Sequence, residues 1–155
     1  MSAGTSEPRQ QPWSDDRRAH GRILVLTDNP IARSIAAIAS TVGRDVVVEP
    51  ADDGGPGLAP EPGDAVVLCD HDAPDAPAVL RSALASQASY VAMMASRRRA
   101  AGLLDELAEE GVDVSTLHVP AGHDLGGKGP GEIALSVVAE IVAESYDRPG
   151  GPMRG

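Results

Sequence analysis

Apolar residues along this chain fall into short runs that alternate with longer amphipathic stretches. Residues 23–27, 45–49, 65–69 and 90–94 are apolar runs of strand length, and a shorter fifth lies near 117–119. Between them the period changes. Ile31, Ile35, Ile38 and Val42 recur at i, i+4, i+7 and i+11, one face of a helix. Residues 75–85 carry Val79, Leu80, Ala83 and Leu84, residues 97–110 carry Leu103, Leu104 and Leu107, and residues 130–144 carry Ile133, Val137, Val138 and Ile141. Pro30 suits a first helical turn with Asp28 or Asn29 as cap, and Gly43 and Gly111 are stop signals. This alternation predicts parallel βα units. The fold class is α/β: a three-layer sandwich around a parallel sheet of about five strands. One crossover breaks the pattern, because 50–63 is rich in Gly and Pro and predicts a long irregular loop.

The chain has 155 residues, which suits one domain. Residues 1–20 and 146–155 are polar and aperiodic, so they read as disordered tails flanking a domain over 21–145. Phe is absent, so the core must be aliphatic. The net charge of −10 argues against nucleic acid and anionic membrane as partners. No apolar run approaches the ~20 residues of a membrane span, and the N-terminus lacks an apolar signal region. The lone Cys69 excludes an intrachain disulfide and suits a reducing compartment, so the expected location is cytoplasmic.

Candidate chemistry sits at the ends of the predicted strands, the edge where open α/β sheets bind ligands. After the first strand a dinucleotide fold wants G-x-G-x-x-G, for a tight turn and close approach to a pyrophosphate. This chain reads Thr27-Asp28-Asn29-Pro30-Ile31-Ala32. Thr27 adds bulk, Asp28 adds negative charge, and Pro30 removes an N–H. Tight NAD(P) binding is therefore not expected, and Glu49, placed like a ribose-binding acid, reads as a surface charge. After the third strand, Cys69-Asp70-His71-Asp72 offers Asp70 as a ligand contact, although neighbours on an extended segment point alternate ways. Cys69 reads as a small buried residue rather than a sulfur carrier.

Ser96-Arg97-Arg98-Arg99 opens the third helix. Bases at a helix N-terminus oppose the helix dipole, and residues 100–103 supply no acid one turn on. The acids of that helix (Asp105, Glu106, Glu109 and Glu110) cluster instead in its C-terminal half. Two readings stand. Arg97 and Arg98, behind Ser96, bind an anion or an acidic loop, or they lie on a solvated face or pair with Asp52 or Asp53. The loop Pro120-Ala121-Gly122-His123-Asp124-Leu125-Gly126 follows the fifth strand. Gly122 and Gly126 permit tight turns there. Asp124 either orients a ligand or pairs with the arginines, or it caps its own turn. Glu132 falls in a first helical turn, where an acid is structurally favoured. No nucleophile triad, Cys-x-x-Cys pair or Walker loop is present.

In that order, the strand at Tyr90, the Ser96-Arg97-Arg98 helix start, the Pro120-to-Gly126 loop and Pro130-Gly131-Glu132-Ile133-Ala134 resemble the C-terminal Rossmann-like domain of the XdhC/CoxI family. The resemblance covers roughly 22–144 and is strongest from Tyr90 onward. Family members carry Gly-x-Gly-His where this chain has Thr27 to Pro30, glycines where it has Ala92 and Ala95, and an aliphatic residue where it has His123. They also have an N-terminal domain with a Gly-Gly-Cys segment, for which this chain has no room. The resemblance implies an accessory or maturation factor, rather than an enzyme, for a molybdenum hydroxylase of the xanthine dehydrogenase or carbon monoxide dehydrogenase type. It implies molybdopterin or the molybdenum cofactor as cargo. The implied cofactor-binding residues are Ser96, Arg97, Arg98, Asp124, Gly122, Gly126 and Asp70, with no catalytic or metal site. The implied partner is the client hydroxylase or a full-length XdhC-like paralogue, and a homodimer stays open. The alternatives are an NAD(P)-dependent oxidoreductase and a ligand-free scaffold that pairs with such a paralogue.

Overall fold

The structure, a computed structural model, describes residues 20–49 and 59–154. The reading of 1–20 as a tail falls outside the described residues apart from His20, as do most of the 50–63 loop and the proposed Asp52 and Asp53 partners. Among the described residues nine elements follow in order: β1 (Ile23–Leu26), α1 (Pro30–Thr41), β2 (Val46–Glu49), β3 (Ala65–Leu68), α2 (Ala76–Ala85), β4 (Tyr90–Met93), α3 (Arg97–Glu110), β5 (Leu117–His118) and α4 (Pro130–Ser145). The strands form one parallel sheet in the order β2-β1-β3-β4-β5. This is an α/β Rossmann-like fold.

Alternation along the strands sorts the core into two layers. Ile23, Val25, Ala65, Val67, Tyr90 and Ala92 face α1 and α4, and α1 and α4 pack against each other. Leu24, Leu26, Val66, Leu68, Val91 and Met93 face the other way and meet Val79, Leu80, Ala83 and Leu84 of α2 and Leu107 of α3. The three inner strands are buried along their whole length, whereas β2 and β5 at the edges are only partly covered. A strand buried on both faces must be apolar throughout, which is why β1, β3 and β4 read as unbroken aliphatic runs.

Caps set the helix positions that matter for the site. Asn29, not Asp28, caps α1, its Oδ1 accepting from Ala32 N at 2.9 Å, with Pro30 in the first turn. Ser96 caps α3, its Oγ accepting from Arg99 N at 3.1 Å. Gly111 closes α3 in the left-handed region at φ 74°, where a side chain would be strained.

At the opposite edge of the sheet, charge is buried and fully paired. Asp64, 2% exposed, accepts from Arg22 N (2.8 Å), Arg22 Nη2 (2.7 Å), Arg22 Nε (3.2 Å) and Glu61 N (2.9 Å). Burial pushes its carboxyl up, but the Arg22 and Glu61 donors outweigh burial and hold it below the usual carboxylate range. Beyond α4, Tyr146 OH lies 3.1 Å from His20 Nε2 and its ring 5.9 Å from the Arg44 guanidinium. Gly150 lies against His123.

Candidate functional site

Three loops rise from the C-terminal edge of the sheet, after β3, β4 and β5, and carry Asp70, Ser96 and Asp124 to that edge. They do not share one cleft. Ser96, Arg97, Asp124 and Gly126 line a cleft of about 480 Å³ together with Lys128 and Ile31. Arg98 faces the other side of α3, where it joins Ser96 and His71 along a groove between α2 and α3. Asp70 lies apart from both. Its Oδ1 accepts from Asp72 N at 2.9 Å, closing its own turn, and it borders a space of about 10 Å³ with Thr27 and Asp75, room for about one water. Asp70, named with Ser96 and Asp124 among the implied cofactor-binding residues, thus shares their sheet edge but not their cleft. Along this segment it is His71 and Asp72, the next two residues, that reach α3 and the end of β4.

The arginines do find acids, but from distant loops. Arg99 Nη2 donates to Asp72 Oδ1 at 2.7 Å, and Arg97 Nη2 approaches Asp124 Oδ2 at 3.4 Å. Arg98 makes no hydrogen bond or ion pair among the described residues. The Arg97–Asp124 pair is long and solvated, its side chains 82% and 78% exposed. An exposed pair contributes little, ~0–1 kcal/mol, so Asp124 holds Arg97 only weakly. The acids late in α3 are answered from α2: Arg81 reaches Glu110 through 2.6 and 2.7 Å hydrogen bonds and Glu106 at 3.7 Å. That bidentate contact holds the Glu110 carboxyl below its usual value.

Gly122 and Gly126 do different things. Gly122, at φ 94°, packs against Ser136 of α4, and a Cβ there would run into the Ser136 Oγ. It belongs under the helix, outside the residues lining the cleft, so its part is to seat the loop. Gly126, at φ 88°, has open space around it and lies in the cleft wall. The next residue, Gly127, is pressed against the Glu132 carboxylate. His123 also lines the cleft, but its Nε2 is buried with no hydrogen-bond partner among the described residues.

Sequence reasoning did not find the buried network that holds this loop. Glu140 Oε1 accepts from Tyr90 OH at 2.6 Å and from Gly122 N at 3.0 Å, while its Oε2 lies 3.4 Å from His118 Nδ1. The His118 and Tyr90 rings stack with centroids 4.4 Å apart. Burial raises the Glu140 carboxyl, but His118, Tyr90 and the Gly122 N–H outweigh it and bring it down to about 2. The Glu140 hydrogen bond raises His118. Burial, then the Glu140 charge, raises Tyr90, which stays a donor. One available signal was an acid on the inward side of α4, next to Ile141.

The crevice between β1 and β3, where the strand order reverses and such folds commonly take a nucleotide, is bridged. Asn29 Nδ2 donates to Cys69 O at 3.3 Å while its Oδ1 caps α1. Cys69 is buried, and burial plus the Asp70 charge push its thiol up to about 12. At neutral pH it is a thiol, unsuited to carrying sulfur as a nucleophile. Among the described residues no group of three or more His, Cys, Asp or Glu is placed to hold a metal ion. None of their helices is long and apolar enough to cross a membrane.

Comparison with known proteins agrees with this architecture. A Bacillus halodurans crystal structure described as a xanthine dehydrogenase superposes with a TM-score of 0.68 at 20% identity, over 83% of this chain and 44% of that one. Escherichia coli (strain K12) YqeB is 40% identical over 68 residues, 42% of this chain and 13% of YqeB. The chain thus spans less than half the length of either relative. Residues 23–141 match the family described as the XdhC Rossmann domain, and with that match over most of its length the chain belongs to the XdhC Rossmann-domain family.

Proposed function

We propose that this protein is an accessory factor that helps mature or load a molybdenum hydroxylase of the xanthine dehydrogenase type, acting in the cytoplasm without catalysing a reaction of its own. The observation that carries this reading is the state of Arg97. It stands at the positive end of α3, in a cleft with Ser96, Gly126 and Lys128, held only by a 3.4 Å contact to an exposed Asp124. Such a guanidinium suits the phosphate of a pterin cargo, because its planar fork forms two parallel hydrogen bonds to an oxyanion. Lys128 adds a second cation, and the cleft is of ligand size. The cargo is what the client's chemistry uses; this chain's residues would bind its anionic end and shield it.

The oxidoreductase reading has less support. Thr27, Asp28 and Pro30 replace a glycine loop, and the Asn29 side chain bridges the crevice that a dinucleotide would enter.

Titration of the purified chain with molybdenum cofactor and with its Arg97→Ala variant tests the proposal. Wild type should bind, and the variant should bind at least about ten-fold more weakly, the scale of one charge-assisted hydrogen-bonded contact. Equal affinity of the two would reject Arg97 as the anion contact, and no binding by wild type together with capture of a paralogue would reject the cargo role in favour of the scaffold.

A further inference from the structure

The groove between α2 and α3, on the far side of α3 from the cleft just described, has the make-up of a second ligand site. Its volume is about 670 Å³, within the range of small-molecule pockets. Its apolar floor includes Leu80, Met93 and Leu103. Polar groups stand at both ends: His71, Ser96, Arg98 and Arg99 nearest the sheet edge, and the paired Arg81 and Glu106 further along. His71 Nδ1 lies 2.9 Å from Met94 O. A carbonyl can only accept, so Nδ1 carries the proton and the ring is fixed with Nε2 at the groove mouth. There Nε2 meets Asp72 Oδ2 at a loose 3.5 Å.

The charges around this mouth are unevenly spent. Asp72 is taken up by Arg99. Glu106 and Glu110 are taken up by Arg81, and Glu106 lies eight residues beyond Arg98, about 12 Å along the helix. Arg98 alone is left without a partner among the described residues, in the first turn where the helix field is also positive. Gly102 adds an independent observation. Glycine weakens a helix interior, yet a Cβ here would meet no atom within 4 Å. Neither helix stability nor packing in this chain calls for glycine, and Gly102 lines the same groove as Leu80 and Leu103, adding no side chain to it.

We infer that the α2–α3 groove binds a small phosphate monoester with an apolar body, its phosphate on Arg98 and the His71 edge and its body over Leu80 and Leu103. Arg98 supplies two parallel N–H donors. The floor covers the apolar surface of the body. This site is separate from the Arg97 cleft and does not depend on the accessory role.

The test uses the full chain, phenyl phosphate and inorganic phosphate as probes, and NMR of backbone amides and leucine methyls. Phenyl phosphate should shift residues 96–99, the His71 ring and the Leu80 and Leu103 methyls. It should bind more tightly than inorganic phosphate. Arg98→Ala should weaken it at least about ten-fold, as loss of a charge-assisted fork does, and Gly102→Leu should block it, with amide dispersion reporting that each variant is folded. Arg97→Ala should leave it unchanged. Shifts confined to residues 121–128, equal binding of the two probes without methyl shifts (an adventitious ion only), or full affinity in folded Arg98→Ala would each overturn the inference. Because the cargo proposal is read through Arg97 and this one through Arg98, either can fail alone.

Discussion

The two edges of the sheet handle charge in opposite ways. At the N-terminal edge Asp64 is 2% exposed and takes four hydrogen bonds, three of them from Arg22. At the C-terminal edge Arg97 and Asp124 are four-fifths exposed and touch at 3.4 Å, and Arg98 has no partner among the described residues. Buried charge is tolerated only when fully satisfied, and removing one member leaves the other desolvated. Exposed charge is cheap to hold and cheap to exchange. One edge is therefore locked by fully paired charge, and the other carries charge that is only weakly held.

Substitutions should separate the two edges sharply. Asp64→Ala strands the backbone donors of Arg22 and Glu61 and should destabilise the fold by about 3–5 kcal/mol, read from urea unfolding. A loss under 1 kcal/mol would dissolve the contrast. Glu140 occupies the middle ground, a largely buried carboxylate that holds the loop at Gly122. Glu140→Gln should cost about 1–3 kcal/mol and loosen the loop at Gly122, seen as faster amide exchange there.

The pH dependence follows from the same network. Glu140 is held down at about 2, so its contribution is complete above the ordinary carboxylate range near 4.3 and disappears as pH falls toward 2. His118 is raised, so its contribution is complete below about 6.5 and fades as pH climbs through its raised folded value. Stability should fall on both sides of a mildly acidic plateau, and Glu140→Gln should flatten both slopes. Slopes unchanged in that variant would assign them to other groups.

Smaller effects are expected at the binding edge. Gly102→Ala should stabilise α3 by up to about 1 kcal/mol, since its Cβ meets nothing; a destabilised variant would mean the groove wall is tighter than described. Arg97→Ala should change stability by less than about 0.5 kcal/mol, as for exposed pairs, and thermal unfolding checks it.

The sequence was more legible at the level of elements than of contacts. Arg97–Glu110 agrees residue for residue, because Ser96 and Gly111 are both explicit caps. The inner strands are recognisable as aliphatic runs because they are buried on both faces, and the structure shortens each by one residue. The edge carrying the strand-end loops follows from parallel order alone. Which way a loop side chain turns does not. Asp70 and His71 are adjacent, yet one closes its own turn and the other faces the groove, a difference of one residue that composition does not encode. The Glu140 network joins Tyr90, Gly122 and His118 across up to 50 positions, and no local period marks such a pairing. Arg81 reaching Glu110 across 29 positions escaped for the same reason.

We propose that the C-terminal edge accepts an anion at Arg97 while the β1–β3 crevice, bridged by Asn29, refuses a dinucleotide. Calorimetric titration of the wild-type chain with molybdenum cofactor and with NADH, under one buffer and salt condition, tests both halves together. The account predicts measurable cofactor binding that weakens with added salt, and an NADH dissociation constant weaker than about 10 μM, roughly −7 kcal/mol. NADH binding tighter than that, with no heat from the cofactor, would contradict it.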